Sequence, residues 1–362
     1  MKFLVLKENN PTENRVALTL DLVAKYQKIG FEIFVEKGAG EKSAISDEAY
    51  SKAGVMVVQD VAQILPDIDV IVSVQRNEID LSKVKKGVVF VGMLNPYFQK
   101  EKIIQLIDAG ILPFALELVP RITRAQSMDV LSSQSNLAGY VAVINAVSQM
   151  QKCVPMMMTA AGTVVAAKFM ILGAGVAGLQ AIATAKRLGG IVCAFDVRAA
   201  AKEQVQSLGA KFIEVKSDES AETKGGYAKE VSEEYKKLQE KLIFDTIINQ
   251  DVVITTALIP GKKAPILISE EMVRGMKSGS IIVDLAAVNG GNCALTEIGK
   301  IKQVGGVTII GHDNFPSLVS IDSSKLYAKN IFNFIELLAD KEKKNIAINL
   351  EDEIVKASLV VK

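Results

Sequence analysis

The stretch FMILGAGVAG, residues 169–178, decides the fold. Its four apolar residues predict a buried strand, which runs directly into Gly173, Gly175 and Gly178, spaced as GxGxxG. In this pattern Gly173 permits a tight turn, Gly175 lets the backbone approach a pyrophosphate, and Gly178 lets the next helix pack closely on the sheet. The N-terminus of that helix, including the amide of Val176, offers N–H groups and a favourable dipole to phosphates. The stretch therefore predicts a Rossmann-type dinucleotide site.

An acidic residue strengthens this interpretation, because GxGxxG alone is weak. The next predicted strand, residues 191–195, ends at Asp196, 18 residues past Gly178. A carboxylate there accepts bonds from the adenosine ribose hydroxyls and repels a 2′-phosphate, which favours NAD or NADH over NADP. We assign Val197 and Arg198 to the same binding segment, and Arg198 keeps NADP open as an alternative. Glycines that merely pack a turn remain the structural alternative.

Leu258 is a further candidate. It follows the predicted strand 252–255, at the carboxyl edge where such sheets bind ligands. Leu258 could pack against the adenine or ribose, and plain packing explains it equally well.

Strand and helix patterns alternate on both sides of the motif. Predicted strands lie at 169–172, 191–195, 212–215, 252–255, 280–285 and 307–310, with helices at 176–188 and 202–208. The first 120 residues repeat this alternation, with strands at 3–6, 31–35, 55–58, 70–74, 88–91 and 112–116 and helices at 18–29 and 101–109. Strands that alternate with helices predict parallel sheets covered on both faces.

The remaining segments complete the domain assignment. Residues 133–150 have helical spacing and could connect two domains, and residues 323–338 predict a helix that returns to the first domain. The predicted fold is therefore α/β, with two Rossmann-like doubly wound domains, mostly parallel sheets and a discontinuous first domain. We expect this first domain to comprise residues 1–132 and 320–362, and the nucleotide-binding domain residues 133–319. The polar stretch 216–241 predicts a surface loop followed by a solvated helix.

Composition excludes several classes of protein. The chain has 362 residues, of which 49% are hydrophobic and 23% charged, and its net charge is +1. These values fit a globular protein of two domains without an electrostatic footprint for nucleic acid. Every apolar run is shorter than the roughly 20 residues that a membrane-spanning helix needs. We expect no transmembrane segment and no exported leader.

Cysteine and histidine usage narrows the chemistry. Cys153, Cys193 and Cys293 are scattered without a CxxC pair, which argues against disulfides or a zinc site and fits a reducing cytosol. His312 is the only histidine, so a mechanism that needs a histidine elsewhere is excluded. Nothing beside His312 indicates a metal or a triad. We expect a satisfied polar residue there and no metal site.

A family resemblance extends over nearly the whole chain. The stretch PRITRAQSMDVLSSQSNLAGY, residues 120–140, resembles the signature loop of proton-translocating nicotinamide nucleotide transhydrogenases. Residues 155–163, 173–189, 196–203, 225–230 and 255–261 are similar to the same family. The match is to the NAD(H)-binding component, in the arrangement where this component is a separate chain.

The resemblance implies roles for specific residues. In the family the Arg, Gln, Asp and Ser of the signature loop reach toward the nicotinamide and its ribose, and they fall on Arg121, Gln126, Asp129 and Ser132. Gln126 can donate to and accept from a carboxamide, and Asp129 can accept a ribose hydroxyl. An Arg–Asp pair that holds a loop is the structural alternative.

The resemblance also implies a mobile loop that closes over the nucleotide. The tyrosine of that loop matches Tyr227, which follows Gly226, and Gln239 lies in the matching downstream segment. These three residues complete the expected cofactor-binding set.

The implied activity is direct hydride transfer from NADH to NADP held on a partner component. A membrane-spanning component couples this step to proton translocation, which makes the chain one subunit of an oxidoreductase and translocase. The family component is a homodimer, and the Met156–Met158 run could form an exchanged hairpin, although core packing is nearly as plausible. The implied location is peripheral, on the cytoplasmic face of the inner membrane.

Two rival functions remain. Alanine dehydrogenases share the overall pattern, including Arg15, which contacts substrate in those enzymes. The substrate lysine is not evident in the sequence VQRN at 74–77, and MLNP at 93–96 lacks the histidine. Residues 287–289, Ala-Val-Asn, stand where the dehydrogenases carry a catalytic carboxylate, so amino-acid oxidation lacks its proton acceptor. A non-catalytic NAD sensor is the second rival, which the signature loop disfavours.

Overall fold

The computed structural model describes residues 1–215, 232–259 and 261–361. The chain forms two compact units, each with its own sheet. Unit 1 comprises residues 1–134 and 316–362, and unit 2 comprises residues 135–315. The predicted fold class is confirmed, because both large sheets are mostly parallel and alternate with helices along the chain.

Unit 1 begins with a six-stranded parallel sheet. Its elements are β1 (Lys2–Val5), α1 (Leu20–Lys28), β2 (Glu32–Glu36), α2 (Asp47–Lys52), β3 (Met56–Val58), β4 (Val70–Gln75), β5 (Val89–Met93), α3 (Lys100–Asp108) and β6 (Leu112–Ala115). The strand order is β3-β2-β1-β4-β5-β6, which reverses direction between β1 and β4. This is the order of a doubly wound fold.

The apolar runs in these strands are continuous because both faces of the sheet are buried. In β1, Phe3 and Val5 belong to one hydrophobic cluster, whereas Leu4 belongs to the cluster on the opposite face. In β4, Val72 and Ile71 divide in the same way. Successive side chains of a strand point to opposite faces, so each strand contributes to two cores.

Helix α4 (Val130–Gln149) leads into unit 2. The elements of unit 2 are β7 (Met157–Thr159), β8 (Gly162–Val164), β9 (Lys168–Leu172), α5 (Val176–Arg187), β10 (Ile191–Phe195), α6 (Ala201–Ser207), β11 (Lys211–Ile213), α7 (Glu233–Ile247), β12 (Val252–Thr255), α8 (Glu270–Gly275), β13 (Ile281–Asp284), β14 (Lys300–Val304) and β15 (Val307–Gly311). The large sheet has the order β11-β10-β9-β12-β13-β15-β14. Strand β14 alone among these seven runs antiparallel to its neighbour.

Two elements differ from the sequence prediction. Strand β14 was not predicted, because its sequence KIKQV carries lysines and its side chains are exposed or half-buried at the edge of the sheet. Charged residues are usual on such an edge strand. Helix α7 continues beyond the predicted solvated end, and its last turns bury Ile243 and Ile247 in the core.

The C-terminal segment completes unit 1, as the sequence predicted. It contains α9 (Ser320–Leu338), β16 (Ala339–Asp340), β17 (Asn345–Ile346) and α10 (Glu353–Ser358). Helix α9 buries Tyr327, Ile331 and Phe334 in the same cluster as Phe3. The hydroxyl of Tyr327 donates to the carbonyl oxygen of Val74 at 3.0 Å, so even the polar end of this side chain is satisfied inside the unit.

Candidate dinucleotide site

The glycine turn after β9 has a geometry that requires glycine at two positions. Gly173 has a φ of +99°. A Cβ at Gly173 would also lie 2.5 Å from Oγ1 of Thr256, and a Cβ at Gly178 would lie 1.9 Å from the carbonyl oxygen of Gly173. Strand β9, the turn and α5 therefore approach one another more closely than any side chain would permit. This is the close packing predicted from the motif.

Gly175 has a different environment. A Cβ at this position would meet nothing within 4 Å, and its φ of −76° is open to any residue. Gly175 immediately precedes α5 and has no side chain that could cap the amides of Val176 and the rest of the first turn. The structure thus has open space beside the positive end of a helix dipole, which fits the pyrophosphate of a dinucleotide.

Asp196 lies at the carboxyl end of β10 and is only 9% exposed. Its Oδ2 accepts a 2.7 Å hydrogen bond from the amide of Ala174, inside the glycine turn. Its Oδ1 accepts a 2.8 Å bond from the amide of Arg198. The Arg198 guanidinium adds two 2.9 Å bonds, from Nε to Oδ1 and from Nη2 to Oδ2. The carboxylate is therefore fixed beside the turn.

Two further predicted residues flank this region of unit 2. Val197 is partly buried and packs on the hydrophobic cluster of the sheet. Leu258, in the segment after β12, has a side chain that is 47% exposed. An exposed leucine at the carboxyl edge of the sheet is available to an adenine or ribose.

The segment after β12 is attached directly to the glycine turn. Oγ1 of Thr256 donates to the carbonyl oxygen of Gly173 at 3.0 Å. The amide of Thr256 donates to the carbonyl oxygen of Leu172 at 2.8 Å. The two loops on either side of the point where strand order reverses, after β9 and after β12, are therefore held together.

Sequence reasoning missed Asn292, whose side chain is fully buried in the loop after β13. Its Oδ1 accepts from the amide of Ala257 at 3.0 Å, and its Nδ2 donates to the carbonyl oxygen of Ala257 at 2.9 Å. The available signal was Gly290 and Gly291, which precede it and have φ values of +99° and +80°. A glycine pair directly before a polar residue indicates a sharp turn that aims the next side chain.

The signature loop lies in unit 1, where residues 123–128 form a 3₁₀ helix before α4. Asp129 and Ser132 contact each other: Oδ1 of Asp129 accepts from the amide of Ser132 at 2.9 Å, and Oδ2 accepts from its hydroxyl at 2.6 Å. Asp129 thus satisfies an amide in the first turn of α4. The side chains of Arg121 and Gln126 are exposed. The structure brings the Asp and the Ser together and leaves the Arg and the Gln at the surface of the unit.

The predicted closing loop is only partly described. Gly226 and Tyr227 lie outside the described residues. Gln239 lies on α7 and is half-buried.

Arg15 is buried in unit 1 and is only 3% exposed. Its guanidinium donates from Nε and Nη2 to the two carboxylate oxygens of Glu13, at 2.7 and 2.6 Å. Its Nη1 donates to Oε1 of Gln134 at 2.8 Å. Gln75, at the position where a substrate lysine was sought, donates to Oε2 of Glu13 at 2.8 Å. These polar groups satisfy one another.

His312 follows β15 and is half-buried. Its ring centroid lies 5.3 Å from that of Phe315, in an edge-to-face arrangement. Burial lowers the pKa of His312, and the neighbouring Asp313 opposes the shift. The imidazole is therefore mainly neutral near pH 7.

Two wider searches of the described residues gave negative results. Across the described ranges, no helix combines the length and apolar character that a membrane crossing requires. Among the same residues, no group of three or more His, Cys, Asp or Glu side chains is arranged to hold a metal ion.

The fold and the site define a class: a two-domain α/β protein with a dehydrogenase-like nucleotide-binding fold. The N-terminal domain of the alanine dehydrogenase/PNT family matches residues 4–138, and the C-terminal domain of that family matches residues 142–362. The chain therefore belongs to the alanine dehydrogenase/PNT family and, within it, to the NAD(P) transhydrogenase alpha subunits.

Individual relatives show which side of the family is nearer. The first of the separate chains that make up the NAD(P) transhydrogenase alpha subunit of Rhodospirillum rubrum is 49% identical over 370 residues, which cover 100% of this chain and 96% of that one. The crystal structure of transhydrogenase from Sinorhizobium meliloti is also 49% identical, with a TM-score of 0.89 over 99% of this chain and 98% of that one. Alanine dehydrogenase of Bacillus subtilis is 30% identical over 291 residues, which are 79% of this chain and 71% of that enzyme.

Proposed function

We propose that this chain binds NAD(H) in unit 2 and is the NAD(H)-binding subunit of a proton-translocating transhydrogenase. The observation that carries the proposal is the position of Asp196, whose carboxylate bonds to the amide of Ala174 within the glycine turn. A carboxylate at this position accepts the two hydroxyls of an adenosine ribose and repels a 2′-phosphate. The proposed ligand is therefore NAD or NADH, and NADP(H) belongs to a partner component.

Each residue of unit 2 has a proposed task. The open space at Gly175 and the amides from Val176 onward hold the pyrophosphate. Asp196 binds the ribose, with Val197 and Arg198 beside it, and Leu258 packs against the adenosine. Gly226, Tyr227 and Gln239 are proposed, from the family resemblance, to close over the nucleotide.

The residues of unit 1 are proposed to act at the nicotinamide. Gln126 has both a donor and an acceptor for a carboxamide, and its exposed side chain is accessible. Arg121 supplies a permanent positive charge to the nucleotide. Asp129 retains accepting capacity for a ribose hydroxyl beyond its two bonds from Ser132.

The dihydronicotinamide ring supplies the hydride when NADH is bound. Hydride transfer needs no protein acid or base at the ring, so the work of these side chains is to orient the carboxamide and the ribose and to exclude water. Positioning of this kind fits a site without a histidine. His312, the only histidine of the chain, lies in unit 2 with its ring against Phe315.

The proposed assembly is a homodimer that works with an NADP(H)-binding component and a membrane-spanning component. The hairpin β7–β8 supports the dimer, because Met156 and Met158 on it are 63% and 81% exposed. A two-stranded hairpin is marginal in water unless it packs on something. We assign the second copy of the chain as its cover. The proposed location is the cytoplasmic face of the membrane that holds the proton-conducting component.

Alanine dehydrogenase activity is not proposed. The Arg15 guanidinium, which in those enzymes contacts substrate, donates here to Glu13 and Gln134. A keto acid would have to displace this buried ion pair, which is strongly unfavourable. Ala-Val-Asn at residues 287–289 also stands in place of the carboxylate that accepts the proton in those enzymes.

Nucleotide titration of the isolated chain tests the proposal. NADH and NADPH are titrated separately and followed by nicotinamide fluorescence. We expect saturable NADH binding at least tenfold tighter than NADPH binding, a difference of about 1.4 kcal/mol. Equal or tighter binding of NADPH would overturn the assignment of Asp196.

Reconstitution with the NADP(H)-binding component separates a transferring subunit from an NAD sensor. We expect NADH-dependent reduction of an NADP analogue that falls at least tenfold in Gln126→Ala, while NADH binding falls less. A chain that binds NADH but transfers no hydride to the added component would support the sensor instead.

A further inference from the structure

The loop after β13 has a buried polar connection to the dinucleotide site. The side-chain amide of Asn292 pairs with both polar atoms of Ala257 in the manner of two peptide groups, at 3.0 and 2.9 Å. Its Nδ2 donates a second bond, to the carbonyl oxygen of Pro265 at 2.8 Å. Every hydrogen-bonding atom of this side chain is therefore used to hold one segment of backbone.

Asn292 is itself held by Asp284, at the end of β13. Oδ2 of Asp284 accepts from the amides of Asn292 and Cys293 at 2.8 and 3.0 Å and from the hydroxyl of Thr296 at 2.7 Å. Its Oδ1 accepts from Oγ1 of Thr255 at 2.9 Å. Asp284 is fully buried, and a buried carboxylate with this many donors is rigid because each lost bond would leave a desolvated charge.

Ala257 lies between the two residues that matter for the nucleotide. On one side, Thr256 donates to the carbonyl oxygen of Gly173 in the glycine turn. On the other side, Leu258 exposes its side chain at the sheet edge. Fixing the backbone of Ala257 therefore fixes the glycine turn and the leucine together.

We propose that Asn292 is a positioning residue for NAD(H), which acts through Ala257 to set the distance between the glycine turn and Leu258. This inference rests on the proposed function and adds to it a residue that does not belong to the glycine motif. Asp284 is the fixed base of the arrangement, and Asn292 transmits its position across the sheet edge.

The experiment compares NADH binding in Asn292→Ala with binding in a matched control, Gln250→Ala. Gln250 is also a buried amide, 7% exposed, but it bonds the carbonyl oxygen of Thr246 and accepts from Ser280 at the opposite end of the strands. Both substitutions remove a buried amide and lower the Tm. We expect Asn292→Ala to raise the Kd for NADH by about tenfold and Gln250→Ala to leave it within about twofold.

A double-substitution cycle distinguishes positioning from general softening. Thr256→Val removes the bond to Gly173 and keeps the shape of the side chain. If Asn292 acts through the same segment, Asn292→Ala adds little to the Kd of Thr256→Val, so the two effects on binding are not additive. Full additivity, or an equal rise of Kd in Gln250→Ala, would overturn the proposal.

The failures of the two proposals are distinguishable. If the wild-type chain does not bind NADH, the proposed function fails and this inference fails with it. If the wild-type chain binds NADH and Asn292→Ala binds equally well, only the inference fails. Should Asn292→Ala not fold, amide exchange of the wild-type chain decides: slow exchange at Ala257 that NADH slows further supports the proposal, and fast exchange with or without NADH overturns it.

Discussion

Oδ2 of Asp196 accepts a 2.7 Å hydrogen bond from the amide of Ala174, 22 residues earlier in the chain. The bond joins the end of β10 to the glycine turn after β9. The carboxylate proposed to bind the ribose thus shares a fixed frame with the turn proposed to bind the pyrophosphate. Such preorganisation lowers the entropy that nucleotide binding must overcome.

Asp196→Asn should reduce the preference for NADH. The substitution keeps the size of the side chain and removes the charge that repels a 2′-phosphate. We expect the Kd for NADH to rise about tenfold or more, because charge-assisted hydrogen bonds contribute about 1.5–3 kcal/mol. The Kd for NADPH should stay the same or fall, and titration of both nucleotides measures the ratio.

A matched control for this substitution is Asp251→Asn. Asp251 makes an analogous 2.8 Å bond to the amide of Lys168, at the opposite end of the sheet. It should leave both nucleotide affinities unchanged. An unaltered NADH preference in Asp196→Asn would show that another residue selects the nucleotide.

The two outer features of the glycine motif should respond differently to alanine. Gly178→Ala forces a Cβ to within 1.9 Å of the carbonyl oxygen of Gly173, so we expect it to lower the unfolding free energy by about 1–3 kcal/mol. Gly175→Ala meets nothing within 4 Å and should change stability by less than about 0.5 kcal/mol.

Binding should show the reverse contrast for Gly175. Its added methyl group enters the space proposed for the pyrophosphate, so the Kd for NADH should rise at least about tenfold. Thermal unfolding and NADH titration of the two variants give both quantities. NADH affinity that survives in Gly175→Ala would place the pyrophosphate elsewhere.

The fold was predictable because its strands are buried on both faces. A buried parallel strand is a nearly continuous apolar run, and β10 (Ile191–Phe195) and β12 (Val252–Thr255) have the bounds predicted from such runs. Strand β14 lacked this signal, since its lysines lie on an exposed edge. Edge strands are selected against apolar exposure, so their sequences resemble those of loops.

The candidate site was predictable only where it is local in sequence. The glycine turn and its helix occupy one continuous stretch, and its spacing carries the geometry. The clamp of Asn292 on Ala257 joins residues 35 positions apart, and the Arg15–Gln134 bond joins residues 119 positions apart. No periodicity or motif encodes such pairings, because they depend on how separate loops meet after folding.

Unit 1 should lose stability as the pH rises from about 5 to 9. Burial raises the pKa of Glu8 to about 8, and Glu13 adds to the shift, whereas backbone bonds from Val74 and Gln75 oppose it. Because the folded pKa exceeds the ordinary value of 4.5, the folded state holds the proton more tightly than the unfolded chain. The stabilisation is complete below about 4.5 and is lost as the pH rises through about 8.

Glu8→Gln should flatten this dependence without abolishing it, since burial also raises the pKa of Glu117. We expect the change in unfolding free energy between pH 5 and 9 to shrink by about 2 kcal/mol. Thermal unfolding across this range measures it. In Glu297→Gln the slope should match the wild type, because Lys302 and Lys300 lower the pKa of Glu297 to about 2. An unchanged slope in Glu8→Gln would mean that Glu8 is ionised in the folded chain at neutral pH.

The β7–β8 hairpin should decide the oligomeric state. All six residues of its strands except Val164 are exposed, and Met158 projects an apolar side chain that is 81% exposed. Burying a side chain of this size stabilises an interface by about 1.5–3 kcal/mol, and a dimer with twofold symmetry gains this twice. Met158→Glu would place two like charges in the proposed interface. We therefore expect sedimentation equilibrium to give a dimer for the wild-type chain and a monomer for Met158→Glu at the same concentration. Met56→Glu, on β3 of unit 1 and 41% exposed, is the matched control and should remain dimeric. A wild-type monomer, or a dimer that survives Met158→Glu, would remove the hairpin from the interface.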